Sequence, residues 1–244
     1  MKITVLGCGD AFGSGGRLNT CFHVTAGRDK FLVDCGATSL PALKARNIAC
    51  NEIGIILITH FHADHFGGVP SFILDAQFTK RSAPLLVAGP PGLKEWLPQA
   101  MEVAFPGSSS AKQRFEVKLF ELHAGRQTSL ESIVVTPQIV QHGKPQGSFF
   151  GYRIEHGGQS IAYTGDTEWT DTLIDAGRGA DLLIAEAYYY EKRVPLHLDY
   201  KTLASNLPRI GAKRVLLTHM SVDMLTHSGE VPEEKAHDGL AITL

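Results

Sequence analysis

The stretch "THFHADHFGG", residues 59–68, places three histidines and one aspartate directly after the apolar run "IGIILI". In a turn that leaves a strand, His60 and His62 can face one point while Asp64 and His65 face a neighbouring point. The motif therefore predicts two metal positions, and a single-metal site, or one whose second position fills weakly, is the alternative. An exposed loop with chance histidines is disfavoured because the stretch follows a buried strand.

Each divalent ion needs further ligands from elsewhere, because zinc bound by nitrogen and oxygen donors takes at least four. His142, Asp166 and His219 can supply them. A carboxylate can join two ions, which makes Asp166 the natural shared ligand. Imidazole and carboxylate without thiolate favour zinc, with manganese and iron open, since geometry and supply also decide occupancy. We therefore expect two divalent metal ions as cofactors.

Short apolar runs rich in β-branched residues predict buried strands, among them "ITVL", "FLVD", "IGIILI", "SIAYTG", "DLLIAEA" and "KRVLLTH". Stretches typical of helices lie between some of them, notably "GLKEWLPQAMEVAF", "TEWTDTLIDAGRG" and "DYKTLASNLPRIG". This alternation predicts a layered α/β fold. Five candidate side chains follow predicted strands, at the edge where ligand sites collect in such folds: Asp34, His60, His142, Asp166 and His219.

Length and composition are those of an ordinary globular protein. The 244 residues suffice for one large or two small domains, and the net charge of −2 gives the whole surface no attraction for nucleic acid. The four cysteines form no C-x-x-C pair and are predicted to be structural thiols of a reducing compartment. The first apolar run ends at Gly7, too short for a signal peptide, and no segment approaches membrane-spanning length. We expect a cytoplasmic protein with no membrane partner.

These motifs resemble those of the metallo-β-lactamase fold superfamily. Asp34, "THFHADH", His142 in "QHG", Asp166 in "YTGDT" and His219 in "LTH" occur in the family's order over nearly the whole chain. The resemblance implies an α/β fold, a four-layer αββα sandwich of two mixed β-sheets flanked by helices. It also implies one hydrolase domain over residues 1–244, with halves of roughly 1–140 and 141–244.

The same resemblance implies a role for each candidate ligand. The first metal is expected on His60, His62 and His142, and the second on Asp64, His65 and His219. Asp166 is expected to bridge the two ions. Asp34 matches the family's aspartate that holds the ligand loop in place.

Two adjacent metals lower the pKa of a bridging water and generate hydroxide at neutral pH, which suits phosphodiesters, lactones, thioesters and β-lactams equally. A phosphodiester expels an alkoxide, which benefits from a proton donor. The segment "AEAYYYEKRVPLHLDYKTL" places His197 soon after Glu186. It resembles the ribonuclease Z branch, in which a glutamate and a histidine serve proton transfer to the leaving oxygen. The expected catalytic residues are Asp64, Glu186 and His197.

Two further features of that branch bear on the substrate. The opening "LGCGDAFGSGGRLNT" resembles its glycine-rich first loop, which makes Arg17 and Thr20 candidate substrate-binding residues. The branch's tRNA-processing members carry a long basic arm between the positions that match His142 and Asp166, which here are only 24 positions apart. Without that arm, and at net charge −2, tRNA 3′ processing loses support.

We therefore expect a hydrolase of a small or cyclic phosphodiester that uses a metal-bridging hydroxide, with His197 as proton donor. Three alternatives stay open: a lactone, ester or β-lactam hydrolase on the same metals, a tRNA 3′-processing endonuclease, and a metal-binding protein without hydrolytic turnover. Nucleic acid is accordingly a less favoured partner than a small substrate. The resemblance, and no feature of the chain itself, implies a homodimer.

Overall fold

Two β-sheets form the centre of the molecule. The computed structural model describes residues 1–144 and 148–244. Within these residues the strands are, in chain order, β1 (Lys2–Gly7), β2 (Cys21–Ala26), β3 (Asp29–Val33), β4 (Ile55–Leu57), β5 (Leu85–Gly89), β6 (Val117–Glu121), β7 (Thr128–Leu130), β8 (Ile133–Ile139), β9 (Phe150–His156), β10 (Gln159–Tyr163), β11 (Leu182–Glu186), β12 (Val215–Thr218), β13 (Glu234–Lys235) and β14 (Ala241–Thr243).

Both sheets are mixed, as predicted. The first has the order β14-β1-β2-β3-β4-β5-β6, antiparallel from β14 to β3 and parallel from β3 to β6. The second has the order β13-β12-β11-β10-β9-β8-β7, parallel from β13 to β10 and antiparallel from β10 to β7.

Helices cover the outer face of each sheet. They are α1 (Ser39–Ala45), α2 (Ala63–Phe66), α3 (Val69–Phe78), α4 (Leu93–Ala104), α5 (Thr172–Gly177), α6 (Tyr200–Ile210) and α7 (Val222–Thr226). One apolar core lies between the sheets, a second lies under α1, α3 and α4, and a third lies under α5, α6 and α7. These four layers confirm the predicted αββα sandwich.

The amphipathic pattern of the sequence explains the docking of α4 and α6. In α4 the buried residues are Leu93, Leu97 and Met101, which recur every four positions and so share one face. Helix α6 begins at Asp199, whose side chain accepts a hydrogen bond from the amide of Thr202 at 2.8 Å, and this satisfies one of the free amides of the first turn. It ends at Gly211 in the left-handed region, with φ of 65°.

Strand register brings the candidate residues to one edge. Val33 of β3 pairs with Leu57 of β4, so the segments after these two parallel strands begin side by side. In the second sheet Glu186 of β11 pairs with Thr218 of β12, which places His219 beside Glu186. The carboxyl ends of parallel strands in both sheets therefore carry the candidate residues.

Within residues 1–144 and 148–244, no helix is long and apolar enough to cross a bilayer.

Candidate metal centre

Three histidines form a first group, named here the imidazole cluster: His60, His62 and His142. One nitrogen of each lies within 4.8 Å of the others. Nδ1 of His62 lies 3.1 Å from Nε2 of His142, and Nδ1 of His142 donates to the carbonyl of Leu196 at 2.7 Å. That donation fixes the proton on Nδ1, so Nε2 of His142 is left as a lone-pair donor.

Four residues form a second group, named here the carboxylate cluster: Asp64, His65, Asp166 and His219. Asp64 Oδ2 lies 3.3 Å from His65 Nε2 and 3.2 Å from His219 Nε2. The two Nε2 atoms are 3.4 Å apart. All four side chains are buried, and their polar atoms converge on one point.

Asp166, a member of the carboxylate cluster, also lies close to the imidazole cluster. Its Oδ1 is 3.2 Å from His65 Nε2, whereas its Oδ2 is 3.3 Å from His219 Nε2 and 3.6 Å from His142 Nε2. Asp166 Oδ1 makes no hydrogen bond of standard geometry with the described residues. This is the position expected of a carboxylate shared by two ions.

Asp34 anchors the loop that carries the motif. It accepts hydrogen bonds from the Thr59 amide at 2.8 Å, the Thr59 hydroxyl at 2.9 Å and the Tyr163 hydroxyl at 3.2 Å. His65 Nδ1 donates to Asp34 Oδ2 at 2.7 Å, which leaves His65 Nε2 free to face the carboxylate cluster. The Thr59 hydroxyl also lies 3.1 Å from His60 Nδ1, so Asp34 is connected to both clusters.

The two clusters differ in charge. Burial and the neighbouring His65 hold the pKa of His60 well below its usual value, and burial together with His142 lowers the pKa of His62. Burial alone would also lower the pKa of His219, but the Asp166 charge outweighs it and raises that pKa to about 10. Without a cation, His60 and His62 are therefore neutral at pH 7, whereas His65 and His219 hold protons.

Both clusters fit divalent ions. His60 Nε2 is buried and makes no hydrogen bond within the described part of the chain, an arrangement that costs free energy unless a ligand accepts the lone pair. In the carboxylate cluster two buried carboxylates need compensating positive charge. Nitrogen and oxygen donors at this spacing are those that zinc takes. The ligand assignment stays a prediction, and this geometry supports it.

His197 and Glu186 adjoin the carboxylate cluster. Glu186 is fully buried, accepts from the Thr167 amide at 2.8 Å and pairs through Oε1 with Nδ1 of His197. The His197 ring stacks on Tyr188 with centroids 4.4 Å apart. Burial by itself would lower the pKa of His197, but the hydrogen bond and charge of Glu186 outweigh it, so the pKa is raised.

Arg17 and Thr20 lie outside these clusters. The Thr20 hydroxyl is buried and donates to the Gly9 carbonyl at 3.1 Å, which ties down the glycine-rich loop. Arg17 is partly buried, and its Nη1 makes no hydrogen bond within residues 1–144 and 148–244. Their role in substrate binding stays a prediction.

Several supporting residues are not among the predicted site residues. The Phe149 ring lies within 6.0 Å of the rings of His60, His62 and His142, and Leu196 orients His142 through its carbonyl. Thr59 adjoins the motif, and a hydroxyl one residue before a metal ligand is a signal that could have been used. A backbone carbonyl such as that of Leu196 leaves no mark on the sequence.

Comparison with known proteins agrees with this geometry. A family model described as "Beta-lactamase superfamily domain" matches residues 29–220. Ribonuclease Z of Methanosarcina acetivorans is 24% identical over 272 residues, covering 91% of this chain and 88% of the relative.

Three solved structures share the fold. The short form of human tRNase Z has a TM-score of 0.81 at 24% identity, covering 100% of this chain and 99% of that chain. A diphosphatase from the PhnP family has a TM-score of 0.81 at 23% identity, with coverage of 100% and 97%. Zn²⁺-bound PqqB from Methylobacterium extorquens has a TM-score of 0.80 at 17% identity and covers 100% of both chains.

The family model spans far more than half of the chain, and the histidine and aspartate clusters support divalent metal binding. The chain therefore belongs to the β-lactamase superfamily domain family, in its ribonuclease Z-like branch, and is a metal-dependent hydrolase.

Proposed function

We propose that the enzyme hydrolyses a small phosphodiester, with two zinc ions in the paired clusters and His197 as proton donor to the leaving oxygen. The single observation that carries this proposal is the Glu186–His197 pair beside the carboxylate cluster. In ester and lactone hydrolysis a metal can help stabilise the leaving oxygen, so those reactions need such a donor less.

The chain's residues divide the work. The imidazole cluster and Asp64, His65 and His219 would hold the ions, with Asp166 shared between them. Bound in this way, two divalent ions acidify a water molecule and offset charge on the phosphoryl oxygens. Nδ1–H of His197 donates a hydrogen bond to Glu186, so the second proton of the imidazolium is on Nε2. As a water oxygen bonds to phosphorus and the opposite P–O bond breaks, that proton passes to the leaving oxygen.

Several features support the details. Zinc is favoured by the histidine and carboxylate donors, and a structural neighbour binds it. A small substrate is favoured because β9 and β10 occupy most of the segment between His142 and Asp166. We also propose that residues 1–244 act as one domain, since the core between the sheets and the clusters both draw on each half.

The test compares two diesters on His197→Ala enzyme loaded with zinc. A nucleoside 2′,3′-cyclic phosphate expels an alkoxide, so its turnover should fall about 10²- to 10⁴-fold. Turnover of bis(p-nitrophenyl) phosphate should fall much less, because p-nitrophenolate leaves without a proton. His123→Ala, which removes an exposed histidine that belongs to neither cluster, is the control and should change neither rate.

The pH profile gives a second readout. The acid form of His197 must be populated, so kcat for the cyclic phosphate should decline as pH rises through the raised pKa of His197. That alkaline decline should disappear in His197→Ala. If metallated wild-type enzyme hydrolyses lactones or thioesters but neither diester, the proposal is wrong, and cleavage confined to a tRNA precursor would favour the endonuclease.

A further inference from the structure

A cleft opens beside the exposed metal-cluster residue His62. Its volume is about 360 Å³, within the range of small-ligand sites. His62 itself forms part of the wall, so a group attached to a phosphate at the clusters would reach this cleft. The remaining walls come from three segments: Phe61, residues 91–96 at the start of α4, and Lys144, Ser148 and Phe149.

The apolar walls are aromatic. Phe61 and Trp96 stack at 5.9 Å with an angle of 22° between their planes. Phe149 forms another wall and also packs against His62. Trp96 is 50% exposed, although burying an indole ring is favourable. An aromatic surface left exposed next to a reaction centre is suited to a planar ligand.

Two glycines lie directly beside the aromatic walls of the cleft. Gly92 has φ of +97°, and a Cβ there would lie 3.4 Å from Trp96 and 3.7 Å from Phe61. A Cβ at Gly143 would come within 2.7 Å of the Phe149 ring. A side chain at Gly143 would displace the Phe149 ring, so that wall of the cleft depends on Gly143, whereas a Cβ at Gly92 would only touch Trp96 and Phe61.

Polar side chains also line the cleft. Lys144 supplies a positive charge and Ser148 a hydroxyl, while Glu95 supplies an acceptor on the opposite segment. A purely aliphatic group could not form hydrogen bonds with these groups. A nucleobase offers a flat π-face for the aromatic walls together with donors and acceptors for the rim.

We propose that this cleft binds a nucleobase, so that the substrate is a nucleoside phosphodiester whose base stacks at Trp96. The proposal rests on the proposed function and names its substrate class. Base stacking on an aromatic residue is worth about 5- to 150-fold in affinity. That factor is the expected advantage of a nucleoside ester over a diester of equal reactivity without a base.

The kinetic test uses two chromogenic diesters with the same leaving group. Wild-type zinc enzyme should cleave the p-nitrophenyl ester of thymidine 5′-monophosphate with kcat/KM about 5- to 150-fold above methyl p-nitrophenyl phosphate. Trp96→Ala should remove most of this preference, mainly through KM, and Trp96→Phe should keep most of it. Phe78→Ala removes an 80% exposed aromatic side chain that is not in the cleft and should leave the preference unchanged.

A binding test does not depend on turnover. The chain has two tryptophans, so Trp169→Phe leaves Trp96 as the only one. Thymidine 5′-monophosphate should quench its fluorescence and bind about 5- to 150-fold more tightly than 2-deoxyribose 5-phosphate.

Equal affinities for the two monophosphates, with no quenching, would overturn the nucleobase proposal even in an enzyme that cleaves diesters. Quenching and tight binding without any diester cleavage would instead support the cleft assignment and refute the proposed phosphodiesterase reaction. A preference for the nucleoside ester that survives Trp96→Ala would also overturn the assignment.

Discussion

The imidazole cluster and the carboxylate cluster lie side by side at the edge of the sheets, but they differ in the charge that their side chains carry. In the first, the pKa values of His60 and His62 are lowered, so these two rings are neutral at pH 7, and His62 is exposed. The second buries two carboxylates with two histidines whose pKa values are raised. A neutral, partly open cluster can bind an ion or substrate with little rearrangement of charge, whereas the buried cluster must always hold compensating positive charge.

From this difference we infer distinct roles for the two clusters. The carboxylate cluster is connected through Glu186, which lies 3.4 Å from His219 Nδ1, to His197, the proposed proton donor. The imidazole cluster opens towards the aromatic cleft through His62. We therefore expect substrate to enter at the imidazole cluster and the leaving group to depart near the carboxylate cluster.

Replacing Asp166 should have the largest effect, because its carboxylate lies within 3.6 Å of histidines in both clusters. Loss of the shared ligand removes several kcal/mol of charge stabilisation, so Asp166→Ala should lower kcat/KM by about 10³-fold or more. Bound zinc, measured by elemental analysis, should fall at both clusters. His62→Ala is the contrasting variant and should reduce occupancy at the imidazole cluster alone. Two tightly held ions in Asp166→Ala would contradict the shared position.

Replacing Asp34 should have the next largest effect. Asp34 adopts a positive φ of 59°, which asparagine tolerates and alanine does not, so Asp34→Asn isolates the loss of one carboxylate oxygen. Metal affinity should fall about 10- to 100-fold, measured by competition with a chelator. Thr59→Ala interrupts the link to His60 and should affect the imidazole cluster more. Unchanged affinity in Asp34→Asn would show that packing alone orients the ligands.

Much of the fold and the ligand geometry follows from local sequence signals. Apolar runs predict β4 and β12, and the residues after a buried strand have to emerge at the sheet edge, which is why His60 and His219 could be located from sequence. The spacing of "HFHADH" predicts that His60 and His62 separate from Asp64 and His65, and the structure has that division.

What could not be predicted depends on tertiary packing. Leu196 orients His142 from 54 residues away, through a carbonyl that any residue possesses. Trp96 forms a cleft wall only because α4 docks beside the motif loop, and its sequence pattern is that of an ordinary amphipathic helix. Thr20 illustrates the reverse case, since a hydroxyl in a promising loop donates its hydrogen bond to the backbone of that loop.

The two clusters should also differ in the number of protons that they release when a metal ion binds. His65 and His219 carry raised pKa values in the metal-free protein, so an ion must displace protons there, and its affinity rises with pH up to about 10 for His219. Each displaced proton changes apparent affinity about tenfold per pH unit. His60 and His62 are already neutral at pH 7 and should release almost none. Calorimetry in buffers of different ionisation enthalpy counts these protons, and equal release from both clusters would remove the proposed distinction.

The smallest expected effect concerns Tyr163, whose buried hydroxyl donates to Asp34 at 3.2 Å. Tyr163→Phe should cost about 0.5–1.5 kcal/mol in the free energy of unfolding, measured by chemical denaturation of the metal-free protein. Tyr152→Phe is the matched control, since that buried hydroxyl donates to the Ile58 carbonyl and has no hydrogen bond to Asp34. Both variants should lose similar stability, but only Tyr163→Phe should weaken metal binding, by a few-fold, because the charge on Asp34 that orients His65 is then less well placed. Equal metal affinities in the two variants would confine the role of Tyr163 to packing and leave Thr59 as the neighbour that holds Asp34.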